Sequence, residues 1–151
     1  MTLRGEYAPI APNAAYEWIR EQIETWVRSG GTEGTKDPGG RPCIIVVNRG
    51  AKSGLLHRTP LVRVERDGQY LAVGSRGGKP KNPPWVYNLR ANPLVEVWDE
   101  TRRDDYNARE LSGDERARWW ELAVSVFADY AEYAQKAPRV IPVFLLEPIN
   151  E

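Results

Sequence analysis

Five short runs rich in β-branched, aromatic and alternating residues follow one another through the middle of the chain: Cys43 to Asn48, Thr59 to Glu65, Gln69 to Gly74, Leu94 to Trp98 and Asp104 to Leu111. Each is bounded by turn-forming residues, which marks it as a strand. Arg66-Asp67-Gly68, between the second and third runs, reads as a hairpin turn. Consecutive hairpins favour an antiparallel barrel or sandwich over a doubly wound sheet. No GxGxxG follows a strand, so a Rossmann dinucleotide site has no support. A sixth run, Val140 to Leu146, reads as a closing strand, and its Pro142 belongs near an edge or bulge.

Helical periodicity brackets these strands. Tyr16, Ile19, Ile23, Trp26 and Val27 recur at three- and four-residue intervals, which predicts a helix over about 14–29 with Asn13 as its cap and Gly30-Gly31 as its stop. Both signs of charge on its polar face favour packing on the barrel over a membrane surface. Gly30 to Pro42 holds five glycines and two prolines and is expected to be a flexible loop. Asn82-Pro83 reads as cap and first turn of a short helix to about Ala91. Ser112-Gly113-Asp114-Glu115 fits a capping box opening one long helix to about Gln135, with Trp119, Trp120, Ala123, Val126, Phe127, Tyr130 and Tyr133 as an aromatic stripe.

The length, 151 residues, suits one domain: 1–42 as an N-terminal helix and Gly-rich loop attached to a barrel of 43–151. No apolar run approaches the roughly 18 residues of a membrane span, and no secretory signal opens the chain. A cytoplasmic location is expected, with peripheral membrane contact left open. One cysteine, Cys43, and one histidine, His57, remove disulfides and nearly all His- or Cys-based metal sites, so no metal is expected. A Ser-His-Asp triad would rest on His57, which has no nucleophile elbow near it.

Net charge is zero but unevenly spread: from Arg49 to Arg90 there are nine Lys or Arg against two acids, Glu65 and Asp67, hence +7. Such a field concentrates an anionic ligand. A neutral total favours a small anion over a nucleic acid. Within the field, Gly50-Ala51-Lys52-Ser53-Gly54 offers two glycines, an ammonium and a hydroxyl, groups that suit a phosphate and equally a plain basic hairpin turn. Gly74-Ser75-Arg76-Gly77-Gly78-Lys79-Pro80-Lys81-Asn82 adds amides freed by glycine, further cations and a nearby helix start.

The order small-Ser-basic-Gly-Gly, then Lys-Asn-Pro, Trp-x-x-Asn-Leu and Ala-Asn-Pro, from Gly74 to Pro93, resembles the deazaflavin-dependent nitroreductase family. The likeness extends more faintly from about Gly50 to Pro148. It implies a split β-barrel, mainly antiparallel β with flanking α-helices, that uses coenzyme F420, an 8-hydroxy-5-deazaflavin carrying a phosphate and an oligoglutamate tail. It places Lys52 and Ser53 at the cofactor tail, and His57, Arg58, Thr59, Pro60, Leu61 and Val62 along the deazaflavin and its ribityl chain. Val73, Gly74, Ser75 and Arg76 meet the ring system, with Gly74 allowing its close approach. Pro84, Trp85, Val86, Tyr87 and Asn88 continue the binding segment. Tyr130, with Tyr133, stands over the cofactor as the proton donor or acceptor-positioning group. Four positions depart from the pattern: Ala51 replaces a basic residue, His57 stands where relatives often have arginine, and Val62 and Phe127 replace tyrosines of the nitroreductase branch.

Several of these residues admit plainer roles. His57 beside Arg58 reads also as a solvated surface pair, Trp85 as a core anchor, and the aromatic stripe as helix packing. Two phenols on one buried stripe need partners unless they face a cavity. The expected activity is hydride transfer from the reduced deazaflavin to an electron-poor small molecule: a quinone, an activated enone or a nitroaromatic. The alternatives are an FMN-dependent oxidoreductase on the same barrel and a non-catalytic deazaflavin carrier. Oligomeric state is left open.

Overall fold

The computed structural model describes residues 3–10 and 17–149. Helix α1 (Glu17–Ser29) leads into β1 (Cys43–Arg49), β2 (Leu56–Val62), β3 (Glu65–Arg66) and β4 (Gln69–Val73). There follow α2 (Pro84–Ala91), β5 (Leu94–Asp99), β6 (Arg102–Glu110), α3 (Gly113–Val126), α4 (Asp129–Lys136) and β7 (Val143–Pro148). The strands form one seven-stranded sheet in the order β2-β1-β5-β6-β7-β4-β3, antiparallel throughout. The sheet curls into a half-barrel, so that Tyr70 of β4 donates its hydroxyl hydrogen to Asp99 of β5, three places away in strand order. This is the antiparallel, mainly β architecture with flanking helices that the sequence implies.

Strand side chains alternate between two buried surfaces. Ile44 and Val46 of β1, Tyr70 and Ala72 of β4, and Phe144 and Leu146 of β7 fill the concave side, where Trp85, Val86 and Leu89 of α2 join them. On the convex side Ile45, Val47 and Trp98 receive Trp26 of α1, while Leu71, Val73 and Leu145 receive Ala123 of α3 and Tyr130 of α4. Burial on both faces explains why Cys43–Val47 and Val143–Leu145 are unbroken apolar runs. The Asp67-Gly68 hairpin turn is confirmed by positive φ at both residues, 54° and 80°, which suits the right-handed twist of β3 and β4.

Several boundaries differ from expectation for identifiable reasons. The start of the first helix, with Asn13 and Tyr16, lies outside the described residues. Its buried face is Gln22, Ile23 and Trp26, and Val27 is exposed. The loop 30–42 has no helix or strand but is tied along its length: Cys43 N–H donates to Thr35 O at 2.8 Å and Gln22 Nε2 to Lys36 O at 3.2 Å. Asn82 does not cap α2; Pro83 holds that position and Pro84 opens the helix. Ser112 makes no side-chain cap, and Glu115, its expected capping-box partner, is held instead by both terminal nitrogens of Arg109 at 2.8 and 2.9 Å.

The one long helix is two: Phe127 adopts extended dihedrals (φ −139°, ψ 94°) and ends α3. The last strand starts at Val143, after Pro142, whose carbonyl accepts Gly74 N–H at 2.8 Å. The second run starts early, at Leu56, and stops at Val62. Among the described residues no helix is long and apolar enough to cross a membrane.

Candidate active site

Strand β2 lies at the edge of the sheet, and two hollows open along it. The larger, about 1070 Å³, takes in Lys52, Ser53, His57, Arg58, Pro84, Tyr87 and Asn88. The smaller, about 290 Å³, takes in Leu61, Val62, Val73, Ser75, Arg76 and Tyr130. Thr59, Pro60 and Trp85 line both, so the hollows meet over the middle of β2. From His57 to Val62 an extended strand covers roughly 17 Å. Residues far apart in sequence are thus brought onto one elongated surface.

The turn between β1 and β2 forms one end. A side chain at Gly50 would bring its Cβ to 2.5 Å from Ser53 Oγ and 3.0 Å from His57 Nε2, so any other residue there would displace these two side chains. Ser53 Oγ accepts Leu55 N–H at 3.1 Å. Asn88 of α2 accepts Ala51 N–H on Oδ1 and donates through Nδ2 to Asn48 Oδ1, both at 2.9 Å. Asn48 in turn donates to Thr59 Oγ1 at 3.0 Å. Asn88 and Thr59 therefore belong to one amide network that fixes the turn against α2. Asn48, fully buried, was not singled out from the sequence; its signal is a lone amide closing an apolar run.

Arg58 plays a different part from its neighbours. Its guanidinium stacks on the Tyr7 ring at 3.7 Å and lies 5.8 Å from the Trp98 ring, on the convex face. Burial lowers its pKa from the ordinary arginine value, and its Nε is buried without a hydrogen-bond partner among the described residues. The stacking anchors the N-terminal segment, whose Ala8 N–H donates to Leu56 O and whose Glu6 O accepts Leu56 N–H, each at 2.8 Å. Ala8, Pro9 and Ile10 thereby wall the larger hollow, a contribution without any periodic signal in the sequence.

At the other end, Ser75 (φ −71°, ψ −41°) is followed by left-handed Arg76 (φ 48°) and Gly77 (φ 63°). A right-handed residue followed by a left-handed one turns successive N–H groups into a concave nest that favours anions. Gly74 lines neither hollow, and a Cβ there would meet Val86 Cγ2 at 2.9 Å and Pro142 O at 3.1 Å. It packs β4 against α2 and the start of β7. Val86 likewise lines neither hollow and is fully buried in the core.

The cationic stretch is partly neutralised. Arg63 pairs with Asp99 at 2.8 Å and Arg90 with Glu110 at 2.9 Å. Lys52 and Arg76 have no carboxylate partner among the described residues.

Breaking the long helix at Phe127 sets the aromatic stripe over the smaller hollow. Tyr130 is 5% exposed and packs edge-on to Phe127 at 4.9 Å. Burial, more than the nearby Cys43 and Tyr133, pushes its phenol well above the ordinary tyrosine range. Burial thus favours the neutral phenol. Tyr133 lines neither hollow; its ring leans on Phe127 at 6.0 Å. Trp18, Gln22, Asp37, Cys43 and Pro83 also line the smaller hollow and were not singled out for it. Burial raises the Cys43 pKa, leaving a thiol rather than a thiolate.

Residues 18–148 match the family model described as F420H(2)-dependent quinone reductase. An F420H(2)-dependent quinone reductase of Mycobacterium tuberculosis is 32% identical over 121 residues, 78% of this chain and 81% of the relative. A solved structure of an F420-H2 dependent reductase, FDR-A, is 49% identical, covers 71% of this chain and 95% of its own, and superposes with a TM-score of 0.67. A further solved structure, described as a domain-swapped dimer, is 43% identical with a TM-score of 0.70, covering 89% of this chain and 100% of its own. With the model spanning nearly its whole length, the chain belongs to the F420H(2)-dependent quinone reductase family.

Proposed function

We propose that the protein binds reduced coenzyme F420 along β2 and catalyses its oxidation by a quinone-type acceptor. The observation that carries this reading is the meeting of two hollows over Thr59, Pro60 and Trp85, with a glycine-and-lysine turn at one end and a buried neutral phenol at the other. The residues fit the cofactor's chemistry. The Lys52 ammonium in the turn after β1 suits a phosphate; Pro60 and the Trp85 ring offer apolar surface to a flat ring; Ser75, Arg76 and Gly77 offer donors to ring or tail oxygens. FMN, the alternative cofactor, gains no support from the family or its relatives. A non-catalytic carrier is at odds with relatives that are reductases by name.

When bound, the reduced deazaflavin supplies a hydride. The chain's own part is to hold one ring face toward the smaller hollow and to keep water from it with Leu61, Val62, Val73 and Phe127. Tyr130 donates a hydrogen bond, and then its proton, to the acceptor oxygen on which negative charge develops. Val62 and Phe127, apolar where the nitroreductase branch has tyrosines, leave Tyr130 as the phenol of this hollow. A quinone takes up one hydride and one proton in becoming a quinol, and a single phenol can supply that proton. The cytoplasmic location expected from the sequence remains part of this proposal.

Titration of the protein with F420 and with FMN, followed by quenching of tryptophan fluorescence, tests the reading. Saturable quenching by F420 at micromolar concentration and none by FMN supports it. Equal response to both cofactors, or to neither, counts against it.

A further inference from the structure

Four acceptors converge on a side chain that no step of hydride transfer requires. Arg139, between α4 and β7, donates to Gly74 O at 3.1 Å, Ser75 O at 2.9 Å, Lys79 O at 3.0 Å and Asn82 Oδ1 at 2.7 Å. The guanidinium is the one side chain with enough donors, in a fixed planar fork, to satisfy four acceptors at once.

That convergence decides where the loop's N–H groups point. The carbonyl and N–H of one peptide unit are opposed. Turning the Gly74 and Ser75 carbonyls to Arg139 therefore turns the Ser75 and Arg76 N–H groups away from it. Arg76 O is taken by Lys79 N–H at 3.2 Å, which turns the Gly77 N–H away from that bond. These three N–H groups have no acceptor among the described residues. They lie on the stretch where Ser75, Arg76 and Gly77 line the smaller hollow.

Two observations independent of the backbone also point to a ligand there. The Ser75 side chain, 7% exposed and facing that hollow, has no hydrogen-bond partner among the described residues. The Arg76 guanidinium belongs to a residue that lines the same hollow, and it has no carboxylate partner among the described residues. A cation without a counter-ion is complementary to an anionic or strongly accepting group. The left-handed φ of Arg76, 48°, is uncommon outside glycine and persists only when the surroundings impose it.

We propose that Arg139 is a positioning residue, which by gathering the carbonyls of Gly74, Ser75 and Lys79 holds the Ser75, Arg76 and Gly77 N–H groups and the Ser75 hydroxyl as a receptor for oxygen acceptors of the cofactor. This rests on the reading that F420 lies along β2. Arg139 acts through the loop, so it governs cofactor affinity and leaves the proton donor Tyr130 untouched.

The test compares wild type with Arg139→Met and Arg139→Lys in the full chain. Three quantities are read: F420 dissociation constant, amide hydrogen exchange at Gly78 and Lys79 without cofactor, and kcat against KM for F420. Arg139→Met is expected to raise the dissociation constant and KM by about tenfold or more at nearly constant kcat. Exchange at Gly78, whose N–H is bonded to Ser75 O at 2.9 Å, should accelerate in the same variant. Arg139→Lys should recover part of both, and it carries the test if the methionine variant does not fold.

Dissociation constants within about twofold of wild type in the folded variants overturn the proposal. So does weaker binding with unchanged Gly78 exchange, since the effect is then charge alone. Failure of wild type to bind F420 is a different result: it overturns the cofactor reading and the receptor with it, while exchange still reports whether Arg139 holds the loop.

Discussion

Asn88 Oδ1 accepts the Ala51 amide hydrogen at 2.9 Å, so helix α2 directly holds the turn between β1 and β2. The same side chain donates to fully buried Asn48. Asn88→Ala leaves the acceptor on buried Asn48 without a partner, which costs about 1–3 kcal/mol. Urea unfolding should show this loss, and F420 affinity should fall with it. Asn88→Ala with unchanged stability would mean that the network is not a support of the turn.

Lys52 and Arg76 stand near opposite ends of the joined hollows, and both are exposed. Lys52→Ala with Arg76→Ala should weaken F420 binding strongly while changing stability by no more than about 0.5 kcal/mol, as for other surface substitutions. Binding by wild type should also weaken as ionic strength rises. An unchanged dissociation constant in the double variant removes the cationic ends from the account.

Tyr130→Phe removes one hydroxyl from the smaller hollow and preserves the ring that packs on Phe127. F420 affinity should be retained, and quinone turnover should drop by about 10²-fold or more, the range expected for a general acid. Stopped-flow oxidation of the reduced cofactor measures this step. Equal rates would remove Tyr130 from proton transfer.

The same phenol fixes the alkaline limit of stability. Burial raises the pKa values of Tyr130, Tyr70 and Tyr106 above the ordinary tyrosine value. Between that value, about 10, and the folded one, the native state holds protons that the unfolded chain has lost, so stability falls as pH rises. Stability should be full below about pH 9 and decline above about pH 10, with a shallower slope in Tyr130→Phe. Urea midpoints between those values give the slopes.

Gly74 tests whether a residue of the cofactor motif is there for packing. Gly74→Ala places a methyl 2.9 Å from Val86 Cγ2 and should destabilise the protein by about 1–3 kcal/mol. Adding Val86→Ala removes the clashing methyl groups, and the two losses should be less than additive. Full additivity would place the strain elsewhere.

How far the sequence alone reaches differs by element. Cys43–Val47 and Asp67-Gly68 declare themselves, because an apolar run and a two-residue turn are local signals. The break at Phe127 is not legible: the apolar period continues across it, and the dihedrals that end α3 follow from packing among Phe127, Tyr130 and the Arg41 guanidinium 4.5 Å away. Glu115 leaves its capping box because Arg109 lies near it in space only. At the site, Lys52, Thr59, Ser75, Arg76 and Tyr130, which the family resemblance puts at the cofactor, line the hollows. Arg139 was missed because it acts on acceptors 57 to 65 residues away that no side-chain pattern records, and Asn48 because a lone amide at the end of an apolar run does not say which partners it meets.

The central claim is that F420 lies along β2, and an amide NMR titration of the full chain with F420 tests it most directly. The account predicts saturable shifts at Lys52, Ser53, Ser75, Arg76 and Gly77 and at the Trp85 indole, with the far edge of the sheet at Glu65 and Arg66 unmoved. Saturable shifts confined to other surfaces, with these resonances unchanged, would contradict it.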